Sequence, residues 1–414
     1  MELKRVVVTG IGAITPIGNT ASEYFEGLKA GKSGAAPITR FDASKFKTQF
    51  ACEVKGFNAQ DFFDRKKARQ LDLCAQFGMV AADEAMNDAQ FSDFNADRAG
   101  VIWGSGIGGL ITFQQECMNF ASGDGTPRFN PFFIPKMIAD ITPGHISIKH
   151  GLRGPNFATV SACASSTHAL IDAFNYIRLG KADFIVAGGS EAAVCEAGVG
   201  GFNALHALST SNDEPETASR PFDSTRNGFV LGEGAACLIL EEYEHAVARG
   251  AKIYAEMVGS GASADAHHIT APHPEGLGAT NVMKSALEDA GMDASEIDYI
   301  NVHGTSTPLG DVAEVKAVEN VFGDSRYDIN ISSTKSMTGH LLGAAGAIEA
   351  AACIMAIHEG VIPPTINHQN FDENIDSKLN LTLNKAQKRE VNAALSNTFG
   401  FGGHNASVIF KKLS

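Results

Sequence analysis

The chain has 414 residues, 44% of them hydrophobic and 19% charged, which is typical of a folded protein large enough for two or three domains. Its 47 acidic and 33 basic residues give a formal net charge of −14, and so acidic a balance disfavours binding to nucleic acid or to an anionic membrane. We find no run of about 18 apolar residues that would cross a bilayer. The seven cysteines form no CxxC pair, and such an odd, dispersed set favours a reducing, cytoplasmic compartment.

Apolar, β-rich runs alternate with longer helical patterns along the chain. The first run, Arg5–Val8, is rich in β-branched residues and predicts a strand. The start of the chain is too short and too β-branched to be a signal peptide. Later runs at 100–103, 183–187 and 235–240 predict further strands. A helix is predicted from Thr167 to Gly180, where the glycine would end it. Its apolar face consists of Leu170, Ala173, Phe174 and Ile177. The alternation predicts an α/β protein with buried sheets.

The glycine pattern indicates that the chain repeats itself. The strand and glycine run at 6–12 has a later counterpart at 256–261. The glycine-rich turn and outgoing strand at 228–240 likewise have a counterpart at 400–410. The period is far too long for a solenoid. We therefore predict two related halves, residues 1–250 and 251–414, with a seam near Gly250.

Cys163 stands between the apolar run 157–160 and the predicted helix, with only small residues around it. A thiol at a helix N-terminus faces unpaired backbone amides and the positive end of the helix dipole, and both lower its pKa. Small neighbours also allow a substrate carbonyl to approach. We therefore expect a nucleophile here. The alternative is a small buried cysteine, which is our interpretation of Cys74, Cys237 and Cys353.

His303 follows a strand-like run that ends in a small polar turn. After it, Thr307 can cap the next predicted helix, and Pro308 suits the first turn of that helix. A histidine at the end of a strand is a candidate for a site, because side chains placed there face the open edge of the sheet. The alternative is an ordinary structural histidine.

His340 lies between another strand-like run and a Gly/Ala-rich helix. We expect it to match, in the second half, the position that Cys163 has in the first. Because a helix N-terminus disfavours the imidazolium form, His340 is expected to stay neutral and to be able to donate a hydrogen bond. Two histidines at similar strand ends together favour a site over chance.

Two other kinds of site are disfavoured by spacing. The three histidines within 267–273 lie in a loop without metal-ligand spacing, and the sequence contains no HExxH, so no metal site is expected. Residues 104–109 satisfy GxGxxG after an apolar run, which is one sign of dinucleotide binding. However, no acidic residue ends a second strand about 20 positions later, as such binding requires. We therefore expect no bound cofactor.

Five blocks of the sequence, in order and spread over essentially the whole chain, resemble the β-ketoacyl-[acyl-carrier-protein] synthases, and above all the synthase II type of bacterial fatty-acid synthesis. The blocks are Ser161–Ser166, Arg220–Gly234, Asn301–Thr307, Lys335–His340 and Asn397–Gly403. The resemblance implies a thiolase-like α/β fold of two related halves in five αβαβα layers, and a homodimer. Synthase III enzymes have an asparagine where this chain has His340, so that branch is disfavoured.

The resemblance also implies a mechanism. Cys163 would take an acyl chain from acyl-carrier protein, with the backbone amides of Cys163 and Phe401 as the oxyanion hole. Malonyl-carrier protein would then lose its carboxylate, and His303 and His340 would stabilise the enolate. Attack of that enolate on the acyl-cysteine would lengthen the chain by two carbons. The residues alone do not divide the work between the two histidines.

Further roles follow from the same resemblance. Lys335 is expected to pair with Glu349 and to fix charge and orientation near His340. The glycines around Phe401 would let the loop 400–403 swing as a gate, although the same residues would also make a plain β-turn. The residues expected to bind the substrate, as acyl tunnel, pantetheine channel or supporting groups, are Ile107, His268, Thr270, Thr305, Thr307, Glu349 and Phe399.

A cationic cluster opens a predicted helix whose later residues, among them Leu71 and Cys74, are expected in the core. Cations in a first turn oppose the helix dipole by about 0.3–1 kcal/mol each. On so acidic a chain we therefore expect the cluster to dock the acidic carrier protein, the alternative being a solvated face. Its members are Arg65, Lys66, Lys67 and Arg69. The chain departs from many relatives at His404, where threonine is common, and at His206, where some have arginine.

Three rival functions remain. A carrier-protein acyltransferase or decarboxylase of the same fold would acylate Cys163 without making a longer chain. A non-catalytic partner subunit such as a chain-length factor would lack the nucleophile, so the intact Cys163, His303 and His340 disfavour it. An oxidoreductase would have to bind a nicotinamide cofactor. The preferred acyl length cannot be derived, because it depends on the packing of single side chains.

Overall fold

The computed structural model describes residues 3–413, which form fourteen strands and thirteen α-helices. The elements up to residue 250 are β1 Val6–Ile14, α1 Ala21–Lys29, β2 Ala36–Pro37, β3 Phe50–Ala51, α2 Arg65–Arg69, α3 Leu73–Ala89, β4 Ala99–Gly104, α4 Leu110–Ala121, α5 Phe133–Met137, α6 Ile141–His150, β5 Asn156–Thr159, α7 Ser165–Arg178, β6 Phe184–Glu191, α8 Glu196–Ala204, β7 Gly234–Glu242 and α9 Tyr243–Ala248. The later elements are β8 Ala255–Ala264, α10 Leu277–Ala290, β9 Tyr299–Asn301, α11 Pro308–Phe322, β10 Asn330–Ser332, α12 Lys335–Thr338, α13 Ala345–Glu359, β11 Val361–Ile362, β12 Gln387–Lys388, β13 Ala393–Gly400 and β14 His404–Lys411.

Ten of the strands form one mixed sheet made of two blocks of five. The spatial order is β5-β4-β6-β7-β1 in one block and β10-β9-β13-β14-β8 in the other. When the strands of each block are numbered from one to five along the chain, both blocks have the spatial order 3-2-4-5-1. The blocks meet only where β1 pairs with β8, over three residue pairs from Val6 with Met257 to Val8 with Ala255. The chain thus contains the same strand arrangement twice.

Helices cover both blocks and also separate them. In the middle, α7 and α13 pack against each other and against both blocks of strands. Outside, α3 and α6 cover the first block, while α10 lies on β8 and β14 and packs against α11. The result is the thiolase-like five-layered αβαβα arrangement, as the resemblance implied. Among residues 3–413, the stretch Leu342–Glu359 is long and apolar enough to cross a bilayer by composition, and 83% of it is buried inside the fold.

Paired glycines explain the repeated pattern at the first strand of each half. A Cβ at Gly12 of β1 would stand 2.0 Å from the Ala81 carbonyl of α3, and one at Gly261 of β8 would stand 2.2 Å from the Val282 carbonyl of α10. Gly10 and Gly259 approach the same two helices one turn further along. Each outer helix therefore packs directly on strand backbone, which only glycine permits.

The helix predicted from residue 167 is confirmed as α7, and the four residues of its apolar face are all buried. The cationic cluster was predicted to open one continuous helix, and this prediction is wrong in one respect, because the chain forms two helices there, α2 and α3. Asp72 causes the break, since its carboxylate caps α3 by accepting the backbone N–H of Cys74 at 3.0 Å. The other oxygen of Asp72 accepts the N–H and hydroxyl of Thr112 on α4.

Candidate active site

A strained turn holds Cys163 at the start of α7. Residues 162–164 form a single 3-10 turn after β5, and Ala162 has a φ of +50°, in the left-handed region. The hydroxyl of Ser165 accepts the N–H of Ser161 at 2.9 Å and donates to the carbonyl of Ala162 at 2.6 Å. These two bonds fix the turn. Cys163 is 8% exposed and lines a cavity.

The corresponding turn of the second half is 342–344, before α13, and Leu342 repeats the unusual φ at +47°. Gly343 therefore occupies the place of Cys163, and the predicted match with His340 is wrong by three residues. His340 is positioned by backbone pairing instead. Its N–H donates to the carbonyl of Val230 at 2.7 Å, and its carbonyl accepts the N–H of Gly232 at 2.9 Å.

The imidazole of His340 contacts the thiol, with its Nε2 3.0 Å from Sγ of Cys163. The ring of Phe229 packs edge-on against it, with the ring centres 5.3 Å apart. Burial lowers the pKa of His340 well below its usual value, and the positive charge of Lys335 lowers it further. The histidine is therefore neutral, as predicted. Burial and Lys335 account for this in place of the helix N-terminus invoked from the sequence.

His303 follows β9 and is held through its backbone. The carboxylate of Glu314 on α11 accepts the N–H of His303 at 2.8 Å and the N–H of Gly304 at 2.7 Å. The two site imidazoles stand almost perpendicular, with ring centres 5.2 Å apart. Burial, then Lys335, then His340 lower the pKa of His303 well below its usual value. Two neutral imidazoles thus face one cavity and can each donate one hydrogen bond.

The thiol of Cys163 is less acidic than its place at a helix N-terminus predicted. Burial raises its pKa to about 12, while the charge of Lys335 and the backbone N–H of Phe401 oppose that rise. The expected lowering of the pKa is therefore wrong for this arrangement, because removal from water outweighs the favourable charges. Attack by this sulfur requires that its proton leave, and Nε2 of His340 is placed to accept it.

Lys335 and Glu349 form an ion pair with both side chains almost fully buried. Burial raises the pKa of Glu349 to about 7, and Lys335 opposes that rise. Neither member of the pair lines the cavity. Glu349, expected among the substrate-binding residues, therefore contacts Lys335 instead of the space for substrate. The charge of Lys335 still reaches the site, since it affects the pKa of Cys163 and of both histidines.

A cavity of about 470 Å³ leads to these groups. Its lining includes eight of the predicted site residues, namely Cys163, Thr270, His303, Thr305, Thr307, His340, Phe399 and Phe401. Further lining residues that the sequence analysis did not assign to the cavity include Phe202, Leu205, His206, Phe229, Asp265, His273, Leu309, Glu314 and Asn405. Glu314 could have been suspected as an acidic residue on the buried face of α11, next to Val315. Phe229 lies within one of the five matching blocks.

Two residues predicted to bind substrate lie outside this lining. Ile107 is 41% exposed on the loop after β4, and its N–H donates to Glu191 at 3.3 Å. Ile107 therefore lies outside the lining of this cavity, and its place in an acyl tunnel stays a prediction. His268 uses its Nδ1 to accept the N–H groups of Thr270 and Ala271, both at 3.1 Å. It supports the loop that carries Thr270.

The predicted gate is the tight turn between β13 and β14. Gly402 and Gly403 have φ values of +89° and +72°, which favour glycine. A Cβ on Gly400 would stand 2.8 Å from the carbonyl of Ser161, so the loop rests directly on the turn that bears Cys163. Gly402 also donates its N–H to the carbonyl of Ile269 at 2.7 Å. The loop thus touches both Cys163 and the loop that bears Thr270.

Other predicted details have mixed outcomes. Thr307 stands at the N-cap of α11 with Pro308 after it, but its hydroxyl bonds that of Thr305 at 3.0 Å instead of capping the helix. On α2, Arg65, Lys66 and Arg69 are exposed, whereas the partly buried Lys67 places its Nζ 3.0 Å from Nδ1 of His145. None of the four cations lines the cavity.

Comparisons with known proteins agree over the whole chain. The family model "Beta-ketoacyl synthase, N-terminal domain" matches residues 3–246, and "Beta-ketoacyl synthase, C-terminal domain" matches residues 254–369. The 3-oxoacyl-[acyl-carrier-protein] synthase 2 of Synechocystis sp. is 50% identical, covering 100% of this chain and 99% of its own, and that of Coxiella burnetii is 47% identical with full coverage of both.

Solved structures give the same result. A β-ketoacyl synthase from Burkholderia phymatum superposes with a TM-score of 0.91 at 37% identity, covering 99% of this chain and 100% of its own. A ketosynthase solved in complex with its type II polyketide acyl-carrier protein superposes with a TM-score of 0.90 at 32% identity and the same coverage. With the cysteine and the two neutral histidines already found together in one cavity, the chain belongs to the β-ketoacyl synthase family.

Proposed function

We propose that this chain elongates fatty acids by decarboxylative condensation of an acyl chain with malonyl-acyl-carrier protein. The observation that carries the proposal is the contact of His340 with the thiol of Cys163, in a cavity that His303 also lines. Curated relatives at 47–50% identity over the full length carry the name 3-oxoacyl-[acyl-carrier-protein] synthase 2. The geometry and the names support the same reaction.

In the first step, Sγ of Cys163 attacks the thioester carbonyl of acyl-carrier protein. The proton passes from sulfur to Nε2 of His340 and then to the departing carrier thiol. The N–H of Phe401, which already acts on the sulfur, and that of Cys163 are our candidates for stabilising the oxyanion. A C–S bond forms on Cys163 while the carrier's C–S bond breaks, so the step is a balanced acyl transfer.

In the second step, the C–C bond to the malonyl carboxylate breaks and CO₂ leaves. The electron pair stays on the thioester as an enolate, whose oxygen can accept hydrogen bonds from the two neutral imidazoles, His303 and His340. The enolate carbon forms a C–C bond to the acyl carbonyl, the C–S bond to Cys163 breaks, and the departing thiolate takes up one proton from water. The positive charge of Lys335 favours that thiolate. The product is a β-ketoacyl-carrier protein two carbons longer.

The intact mass of the protein tests this proposal. Mixed with hexanoyl-carrier protein, wild type should gain one hexanoyl group and the Cys163→Ala variant none. Added malonyl-carrier protein should then remove that mass as 3-oxooctanoyl-carrier protein forms. Acylation without the longer product would instead favour an acyltransferase or decarboxylase. Absence of any adduct over a range of chain lengths would favour a partner subunit.

The proposed partner is an acidic carrier protein that docks in part on α2. Arg65, Lys66 and Arg69 are exposed there and form no ion pair with an acidic side chain within residues 3–413. Charge reversal of all three to glutamate should raise the KM for acyl-carrier protein and flatten its salt dependence. The same reversal at Lys385 and Lys388 serves as the control. Equal kinetics for both variants would remove α2 from the docking surface.

We further propose that the protein is a cytoplasmic homodimer. β5 is an edge of the ten-stranded sheet, and Val160 beyond it is 62% exposed. An apolar patch with stacked phenyl rings lies on α4 and the segment after it. The ring centres of Phe120 and Phe129 are 5.4 Å apart, and those of Phe129 and Phe133 are 5.5 Å apart. Exposed edges and apolar patches favour association. Light scattering should give twice the chain mass, and a monomer at micromolar concentration would contradict this.

The cytoplasmic assignment rests on the thiols. All seven cysteines are free, which suits a reducing compartment. Fractionation of cells that carry a tagged full-length chain would test the assignment, and recovery with the membrane pellet after a salt wash would contradict it.

A further inference from the structure

Lys67 on α2 is a partly buried lysine whose amine contacts an imidazole. Its Nζ lies 3.0 Å from Nδ1 of His145 on α6. Because an ammonium group has only donors, Nδ1 of His145 is the acceptor of this hydrogen bond. The preceding residue, Lys66, is exposed in the same helix. The reaction steps above do not use the pair formed by Lys67 and His145.

The charged groups around this amine leave it without a counter-ion. Lys149 on α6 pairs with Asp83, and Nε2 of His150 lies 2.9 Å from the other carboxylate oxygen of Asp83. Asp64, at the N-cap of α2, uses Oδ1 to accept the backbone N–H of Lys67 at 2.7 Å. Among residues 3–413, no carboxylate forms an ion pair with the side chain of Lys67. The nearby acidic groups are therefore engaged elsewhere.

This environment favours the neutral forms of both side chains. Burial and the charge of Lys149 lower the pKa of Lys67, and Asp64 opposes that change. Burial and the charge of Lys67 lower the pKa of His145 to about 4. The imidazole is thus neutral at pH 7 and can accept a proton from the amine. A lysine that is removed from water beside another cation is activated as a nucleophile.

We propose that Lys67 is a second acylation site, at which the amine takes the acyl group of a small thioester while His145 accepts a proton. The ammonium first loses one proton to water. The neutral amine then attacks the thioester carbonyl, so that a C–N bond forms and the C–S bond breaks. The second proton passes from nitrogen to Nδ1 of His145 and on to the departing thiolate. The products are an amide on Lys67 and a free thiol.

The site is separate from the condensing chemistry. Neither Lys67 nor His145 lines the cavity that contains Cys163. The inference rests on the proposed function only for the supply of acyl thioesters. An amide at Lys67 removes one positive charge from α2. The modification would therefore record on the surface of the protein how much acyl thioester is present.

Mass spectrometry of a single peptide tests the site. The Cys163→Ala protein, which has lost the thiol of the proposed condensation, is incubated with acetyl-pantetheine at pH 7.5. Cleavage before aspartate gives the peptide Asp64–Leu71, which contains both Lys66 and Lys67. Lys67 should be acetylated roughly tenfold faster than Lys66, although Lys66 is the more exposed. Equal rates, or faster acetylation of Lys66, would overturn the proposal.

Two variants of His145 test the proton acceptor. His145→Phe keeps a ring and His145→Gln keeps a hydrogen-bond acceptor, but neither has a base. In both, acetylation of Lys67 should slow by roughly tenfold or more while that of Lys66 stays the same. An undiminished rate at Lys67 in both variants would overturn the role of His145. Thermal midpoints within about 2 °C of the parent protein would show that the variants are folded.

A comparison with the wild-type chain separates this proposal from the proposed function. Lys67→Arg keeps the charge and should remove the acetyl group from the peptide. Acetylation of Lys67 in a wild-type protein that never elongates hexanoyl-carrier protein would overturn the proposed function and leave the site in place. Elongation by a protein in which Lys67 reacts no faster than Lys66 would do the reverse.

Discussion

Cys163 is a buried thiol whose reactivity depends on its neighbours more than on its own acidity. Burial raises its pKa to about 12, so at neutral pH the sulfur carries its proton. Three groups nevertheless prepare it for attack: Nε2 of His340 at 3.0 Å, the charge of Lys335 and the N–H of Phe401. We therefore expect the free thiol to react slowly with alkylating agents at neutral pH.

The first prediction concerns alkylation. The rate at which iodoacetamide modifies Cys163 should keep rising from pH 7 to pH 10, because the thiolate fraction still grows tenfold per pH unit below a pKa of about 12. Peptide mass spectrometry at each pH measures it, with the exposed Cys117 as an internal comparison. A rate at Cys163 that levels off below pH 8 would contradict the high pKa.

The second prediction separates the two histidines. Because His340 contacts the thiol, His340→Ala should slow both acylation and condensation, each by roughly 10²–10⁴-fold. His303 has no hydrogen bond to the sulfur, so His303→Ala should acylate at nearly the wild-type rate and lose condensation by roughly 10²–10³-fold. Single-turnover mass measurements follow the two steps separately. Equal loss of acylation in both variants would contradict this division.

At this scale, the sequence predicted that Cys163, His303 and His340 lie at strand-to-turn junctions with small neighbours, and the structure brings all three to one cavity. Ile107 lies outside that lining, on a loop that Glu191 holds. The pKa of Cys163 could not be derived, because burial of the thiol depends on how distant parts of the chain pack around it.

Among the elements, β1 and α3 depend on contact between their backbones. A Cβ at Gly12 would stand 2.0 Å from the carbonyl of Ala81, closer than any real contact. The same contact recurs at Gly261 in the other half. The outer helices are therefore fixed by the absence of side chains on the strands beneath them.

The third prediction tests that contact. Gly12→Ala should lower the free energy of unfolding by about 1–3 kcal/mol or more, because neither backbone can move away easily. Gly144→Ala is the control, since Gly144 lies inside α6 and a Cβ there would meet no atom within 4 Å. That change should stabilise the protein by about 0.5–1 kcal/mol. Urea midpoints measure both, and a neutral Gly12→Ala would contradict the close approach.

Elements were predictable where one local pattern decided them. The helix α7 follows from its apolar face and final glycine, and its observed start differs by two residues. The break between α2 and α3 was missed, because Asp72 caps α3 while its second oxygen binds Thr112, 40 residues away. No local signal contains that contact.

Across the whole molecule, the five layers bury two imidazoles, and within residues 3–413 neither imidazole has a carboxylate partner that would stabilise its protonated form. His303 and His340 both have pKa values well below the usual 6.5 in the folded protein. In the unfolded chain they would bind protons below pH 6.5 that the folded state rejects. The stability they permit is therefore complete above pH 6.5 and declines as the pH falls below it.

The fourth prediction follows from that sign. Between pH 7.5 and pH 5.0, His303→Asn should gain stability relative to wild type, because the folded wild type does not take up the proton that its unfolded chain binds below pH 6.5. Urea unfolding of both proteins at the two pH values measures the difference. An equal change in both proteins would show that His303 accepts a proton in the folded state.

The doubled strand order carries a consequence for how many reactive centres one chain can hold. The same kind of turn occurs twice in the chain, once around Cys163 and once around Gly343. The turn around Gly343 has no room for a side chain: a Cβ at Gly343 would stand 2.2 Å from the amide nitrogen of Gly106 and 2.7 Å from the carboxylate of Glu191. The turn around Cys163 holds a reactive side chain, whereas the turn around Gly343 has no room for one. We therefore expect each chain to hold one acyl group at a time in the condensing cavity.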